Sequence, residues 1–141
     1  MIKKVISTLE KAKRPIICAG GGVLLAGAEE ELRIFAEKNQ IPVVTTMMGI
    51  GSMPTEHSMY FGMVGNNGKP YANRAMNEAD VVIMVGARVA DRAFNRPEII
   101  ATNKTLVHMD VDPAEIGKNA GPHIPIVGDA KYIFEDMEQY A

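Results

Sequence analysis

The chain has 141 residues, one cysteine, no tryptophan and a formal net charge of −2, a length that suits one domain with its own core. A lone Cys18 excludes an intramolecular disulfide framework and a cysteine-based zinc cluster, and near-neutral charge offers no electrostatic footprint for nucleic acid. No apolar run approaches the roughly 18 residues that span a bilayer, and residues 1–15 lack the apolar stretch of a secretory signal, so the expected compartment is the cytoplasm.

Ile2, Val5, Ile6 and Leu9 follow helical spacing, so the chain opens with an amphipathic helix that stops before Pro15. Pro15–Ala19 is a short apolar run and reads as a buried strand, ended by Gly20, Gly21 and Gly22. Residues 25–39 read as one helix, with Ala28, Leu32, Phe35 and Ala36 on one face and Glu29, Glu30, Arg33 and Glu37 on the other. Pro42–Thr46 is the next strand. Residues 47–69 hold Gly49, Gly51, Pro54, Gly62, Gly65, Asn66, Asn67 and Gly68; their poor periodicity predicts loops and a single helical turn, and a loop this long is functional or a covering element. A helix is expected over 70–78. Asp80–Val85 is continuous and β-branched, as expected of a strand buried on both faces. Further strands cover Thr105–Met109 and Ile124–Val127. Asp129 then reads as the N-cap of a closing helix with Ile133, Phe134, Met137 and Tyr140 on one face.

Strands alternating with helices imply a mostly parallel sheet of about six strands with helices on both faces, a doubly wound, Rossmann-like α/β domain. Such sheets bind ligands at the carboxyl ends of their strands. Three glycines after the first strand let the backbone turn and approach a ligand such as a phosphate. The dinucleotide pattern Gly-x-Gly-x-x-Gly is incomplete, however, because Leu25 stands at its third position and Gly27 comes two residues later. A ligand loop and a plain tight turn are both open. Gly86, Ala87 and Arg88, with Asp91 and Arg92 beyond, could grip a diphosphate or carboxylate, or the arginines could pair with Asp91 or Glu98 at the surface. Asp110 could bond a ribose hydroxyl or cap the turn before Pro113.

Other signals point away from catalysis by this chain. His57, His108 and His123 lack metal-ligand spacing, and His108 reads as a core histidine. Ser52 and Ser58 lack a nucleophile elbow, and there is no P-loop. Met47, Met48, Met53, Met59 and Met63 crowd the long loop, either packing this core or facing another domain. No nucleophile, base and oxyanion site assemble, so the chain reads as a binding module.

Several stretches, in order and spacing, carry a family likeness: Arg14–Gly22, Ile41–Thr46, Gly49–Gly51, Tyr71–Asn73, Glu78–Asp80, Val85–Arg88, Asp91–Arg92, His108–Lys118 and Ile124–Ala130. Through them the chain resembles the central domain of thiamine-diphosphate-dependent enzymes, especially the large subunit of acetolactate synthase. The resemblance implies that residues 1–141 are one central domain of a longer three-domain enzyme, a homo-oligomer. The absent N- and C-terminal domains of that enzyme would bind thiamine diphosphate and Mg²⁺. The parent would decarboxylate pyruvate and transfer the two-carbon unit to a 2-oxo acid, in branched-chain amino acid biosynthesis; the fragment alone would be inactive. It also implies FAD or ADP at this domain. Gly20, Gly21 and Gly22 would meet the ribityl–diphosphate region, and Thr46 and Met47 the flavin side. Gly62, Met63, Gly86, Ala87, Arg88 and Arg92 would line the groove, and Asp110, Val111, Asp129 and Ala130 would surround the adenosine. Asn67 stands where the synthases carry His, and Ala90 where they carry an acid. Alternatives are a free-standing nucleotide-binding module, as in the similar sheet of NAD-dependent deacylases, or a central domain of a related decarboxylase or acetyltransferase with a vestigial site.

Overall fold

A computed structural model of the chain describes residues 2–46, 51, 53, 57–63, 72, 74–75, 78–86, 105–110 and 124–138. In chain order these form α1 (Ile2–Lys11), β1 (Pro15–Ala19), α2 (Gly21–Leu25), α3 (Glu29–Asn39), β2 (Val43–Thr45), β3 (Tyr60–Met63), β4 (Val81–Val85), β5 (Thr105–Asp110), β6 (Ile124–Val127) and α4 (Ala130–Glu138). The strands make one six-stranded sheet in the order β3-β2-β1-β4-β5-β6, and every neighbouring pair is parallel. This is the doubly wound α/β arrangement expected from the sequence. The chain leaves β1 toward β2 and β4 toward β5, in opposite directions along the sheet. The topological switch point therefore lies between β1 and β4.

Burial of both sheet faces explains why the central strands are apolar without alternation. Ile17, Ala19, Ile83, Val85, Val107 and Met109 share a core with Val5 of α1, Leu32 and Phe35 of α3 and Phe134 of α4. Ile16, Cys18, Val82, Met84 and His108 occupy the intervening strand positions and are equally buried. Phe35 and Phe134 meet with ring centroids 5.5 Å apart at a tilt of 41°, a favourable offset for two aromatic quadrupoles. Met53 and Met59 from the methionine-rich stretch also pack into this core.

Two expectations change. The helix expected over 25–39 is two helices. Gly27 adopts φ +66°, and its N–H donates to the Leu24 carbonyl while the Ala28 N–H donates to that of Val23. That bond pair is a Schellman stop, and the left-handed residue it needs is least strained as glycine. Gly27 thus ends α2 rather than completing a late dinucleotide pattern. The second change is β3, an edge strand inside the stretch read as loop. Its register against β2 slips between Val43 and Val44, a bulge that removes the two-residue periodicity by which strands are recognised. Side chains fix it instead. Tyr60 Oη and Thr45 Oγ1 share a hydrogen bond of 2.9 Å. His57 Nδ1 accepts the Met59 N–H at 3.0 Å, so Nε2 is free to donate to Glu37 of α3, also at 3.0 Å. The His57 hydrogen bond, aided by Arg33, holds the Glu37 carboxyl below its ordinary range. Of the helix expected at 70–78, Ala72, Arg74, Ala75 and Glu78 are described, and they are helical.

The start of β4 is tied to the start of β1 by Asp80. Its carboxylate accepts the backbone N–H groups of Lys13 at 2.8 Å and Arg14 at 2.9 Å. Burial alone would raise the carboxyl's pKa, but these amides, with those of Asp80 and Val81, outweigh it and hold it below the ordinary 3.8. The nearby Arg14–Glu78 pair, 3.7 Å apart and exposed, contributes little. Asp80→Ala is expected to cost about 1–2 kcal/mol at pH 7, measured by urea unfolding. A lowered folded pKa gives stability present above the unfolded value and lost as pH falls through the folded one. The gap between wild type and variant should therefore be full above about pH 5 and close as the solution is acidified below 3.8.

Candidate functional site

Four strands, β1, β2, β4 and β6, are followed by a residue that continues the backbone ladder past the strand end. Gly20 N–H donates to the Val85 carbonyl, Gly86 N–H to that of Met109, Thr46 N–H to that of Ala19, and Gly128 N–H to that of Asp110, at 2.9–3.1 Å. This lacing brings the ends of β1, β2, β4 and β6 to one edge, where β5 also ends at Asp110. At the switch point the turns after β1 and β4 touch. Gly22 N–H donates to the Gly86 carbonyl at 3.0 Å, and a Cβ on either glycine would lie 2.6 Å from the other's Cα. Gly86 also has φ +60°. Gly22 is thus required by the packing of one turn on the other, whereas Gly20, at φ −108° and ψ −170°, has a conformation open to any residue.

A cleft of about 150 Å³ opens beside this contact, lined by Gly22, Leu25, Ala26, Gly86, Met109, Asp110, Gly128, Asp129 and Ala130. Five of the expected site residues meet here: Gly22, Gly86, Asp110, Asp129 and Ala130. Gly20, Gly21, Thr46 and Gly62 are not part of the lining, and Met63 belongs to edge strand β3. Met47, Ala87, Arg88, Arg92 and Val111 lie outside the described residues, as do Asn67 and Ala90. Leu25, Ala26, Met109 and Gly128 are the other described residues of the lining, unforeseen from the sequence. Leu25 is 92% exposed; the only sign of it in the sequence is an apolar residue in the short helix that follows the glycines.

The polar groups have defined tasks. Asp129 Oδ1 accepts the Lys131 N–H at 2.9 Å, and its carbonyl accepts the Ile133 N–H, so it is the N-cap of α4 expected from the sequence. Asp110, its side chain only 12% exposed, lies with Oδ2 3.9 Å from Nε2 of the fully buried His108. The Thr46 hydroxyl is buried and has no hydrogen-bond partner among the described residues. Among those residues no group of three or more His, Cys, Asp or Glu could hold a metal ion, and no helix is long and apolar enough to cross a membrane.

Comparison with known proteins now adds the lineage. The family described as thiamine pyrophosphate enzyme, central domain, matches residues 2–137. The chain belongs to that family. It is 50% identical over 136 residues to the probable acetolactate synthase large subunit of Methanococcus aeolicus, covering 96% of this chain and 23% of that protein. It is 40% identical over 136 residues to the acetolactate synthase isozyme 3 large subunit of Escherichia coli, covering 96% of this chain and 24% of that protein. A structure from Mycobacterium smegmatis assigned to the thiamin diphosphate-dependent enzymes shares the fold at a TM-score of 0.75 and 23% identity, covering 98% of this chain and 27% of that one. The chain thus spans about a quarter of the length of the curated relatives it matches.

In this central domain the Gly22–Gly86 contact is the steric condition for the cleft. Gly22→Ala is expected to cost at least about 2 kcal/mol, because the obstacle is backbone and cannot swing aside as a side chain would. Gly86→Ala should cost more, since it adds a disfavoured φ. Urea unfolding of both variants checks the order.

Proposed function

We propose that the chain is the nucleotide-holding central domain of an acetolactate-synthase-like enzyme, with FAD or ADP lying along the carboxyl edge of the sheet. The observation that carries this reading is the cleft at the switch point, the place where doubly wound sheets take nucleotides, with the largely buried Asp110 on its wall. Its volume, about 150 Å³, is below the roughly 300–1,000 Å³ of a whole small-molecule pocket, so it takes one part of such a ligand, the adenosine. Leu25, Ala26 and Met109 supply apolar surface for a base, and Asp110 supplies acceptors for ribose hydroxyls. The diphosphate would pass the Gly20–Gly22 turn. The orphaned Thr46 hydroxyl fits a polar group of the ligand's far end, since a buried hydroxyl without a partner is costly.

The parent enzyme would decarboxylate pyruvate and join the two-carbon unit to a second 2-oxo acid, as a homo-oligomer in the cytoplasm. Thiamine diphosphate, held with Mg²⁺ by the flanking domains, would supply the electron sink for that chemistry. This domain's own residues bind and orient the nucleotide and give the flanking domains a rigid neighbour; the 141 residues alone would not turn over pyruvate.

A second reading is a structural domain without a ligand. It is favoured by the glycines filling each other's side-chain space and by Asp129 being occupied as a cap. Calorimetric titration of the chain with FAD and with ADP separates the two. Binding of either nucleotide, weakened at least tenfold by Gly21→Val with the circular dichroism unchanged, is the expected result. No binding of either would favour the ligand-free domain, and binding untouched by Gly21→Val would remove the diphosphate from the glycine turn.

A further inference from the structure

His57 stands where the chain enters the edge strand, and both of its ring nitrogens are engaged. We propose that His57 is a proton-operated latch on β3: the neutral imidazole holds the turn His57–Tyr60 closed, and a second proton on the ring opens that turn while the ring stays docked on α3. The latch stands apart from the nucleotide reading, because none of its residues lines the cleft. The neutral tautomer is dictated by the bonds. A backbone N–H can only donate, so the Met59 N–H at 3.0 Å requires a bare lone pair on Nδ1. The ring's one proton then lies on Nε2, 3.0 Å from Glu37 Oε2, the division of roles that a neutral imidazole has to make. The same turn carries the start of the edge. The Tyr60 N–H donates to the His57 carbonyl at 3.0 Å, and the Met59 carbonyl accepts the Val43 N–H of β2 at 2.8 Å.

A protonated imidazole has two N–H donors and no acceptor. The Nδ1–H and the Met59 N–H would then face each other across 3.0 Å, and one side has to move. The ring is the better-held side. Its Nε2–H contact with Glu37 becomes charge-assisted at both ends and so gains strength. Glu37 is itself held, since Arg33 Nη1 meets both of its carboxylate oxygens at 3.1 Å from one turn earlier on α3. The His57 hydrogen bond first, and Arg33 after it, keep the Glu37 carboxyl below its ordinary range, so it remains an anion while the ring takes up its proton. Among the described residues no other charged group joins the cluster: β2 carries none, and the Tyr60 phenol of β3 is engaged with Thr45 at 2.9 Å. Glu37 favours the second proton and Arg33 opposes it. With the ring fixed on α3, the turn before β3 gives way.

The test is an NMR titration of the 141-residue chain from about pH 8 to about pH 5, the range in which imidazoles as a class change charge. It follows the ring nitrogens of His57 and the protection of backbone amides against hydrogen exchange. At the alkaline end the ring is expected as the Nε2–H tautomer. On acidification the protection of the Met59 amide should fall roughly three- to tenfold, the range set by one lost hydrogen bond. It should fall with the same midpoint as the ring, while the amides of the central strand β4 keep their protection. His57→Asn puts an amide oxygen where Nδ1 stood, an acceptor suited to the N–H two residues on, and should keep Met59 protected throughout. Glu37→Gln keeps an acceptor for Nε2–H without the charge and should move the midpoint to lower pH. An Nδ1–H tautomer at the alkaline end, a ring that stays neutral throughout, or a ring that titrates with no change at Met59 would overturn the latch. A Met59 response that persists in His57→Asn would overturn its assignment to this ring, and a midpoint unmoved by Glu37→Gln would overturn the anchoring by Glu37.

Discussion

The contact between Gly22 and Gly86 sets the geometry on which the rest of the edge depends. Parallel strands that send their connections in opposite directions leave an opening between them. Here the two turns close its floor by touching backbone to backbone, with the Gly22 N–H on the Gly86 carbonyl and no room for a Cβ on either side. This places α2 beside the ends of β4 and β5, so that Leu25 and Ala26 face Met109 and Asp110 across a narrow cleft. A side chain at either glycine would push α2 away and widen the cleft into open surface. The Schellman stop at Gly27 completes the arrangement, because it ends α2 after five residues and lets α3 turn back over the sheet.

The electrostatics of the edge follow from the same geometry. Asp110 ends β5 and Asp129 lies two residues past the end of its parallel neighbour β6, and the Gly128 N–H on the Asp110 carbonyl joins the two strand ends. One carboxylate is consumed in part by capping a helix; the other is backed by a buried histidine. Among the described residues, two carboxylates thus stand beside the N-terminus of α4. The curated relatives that share this central domain are about four times as long as the chain.

The opposite end of the sheet shows what holds an edge strand that has little sequence signal of its own. β3 is four residues long, pairs with a three-residue β2, and contains a bulge. Its position is secured by groups from elsewhere: Thr45 on Tyr60, and the Glu37 carboxylate on His57, which in turn takes the Met59 N–H. Arg33 and Glu37 form an i, i+4 pair on the face of α3 opposite its apolar one. Folding gives that face the task of anchoring the chain before the edge strand.

Much was legible in the residues themselves. Helical spacing in residues 2–9, the buried runs at Pro15–Ala19 and Asp80–Val85, and the aspartate before the last helix are local signals, because period, burial and capping act over a few neighbouring residues. They determined the α/β class, the parallel sheet and the rule that places ligands at strand ends; the Asp110 and Asp129 positions followed from that rule and from family likeness. Tertiary structure alone decided the rest. That Gly22 packs against a neighbouring turn depended on Gly86, 64 positions away. Whether Gly27 belonged to a nucleotide loop depended on which carbonyls its turn could reach. The bulged β3 and the exposed Leu25 became meaningful only against partners brought from distant parts of the chain. Local chemistry fixes what a segment can form, and close approach between remote backbones selects which of those possibilities makes the cleft.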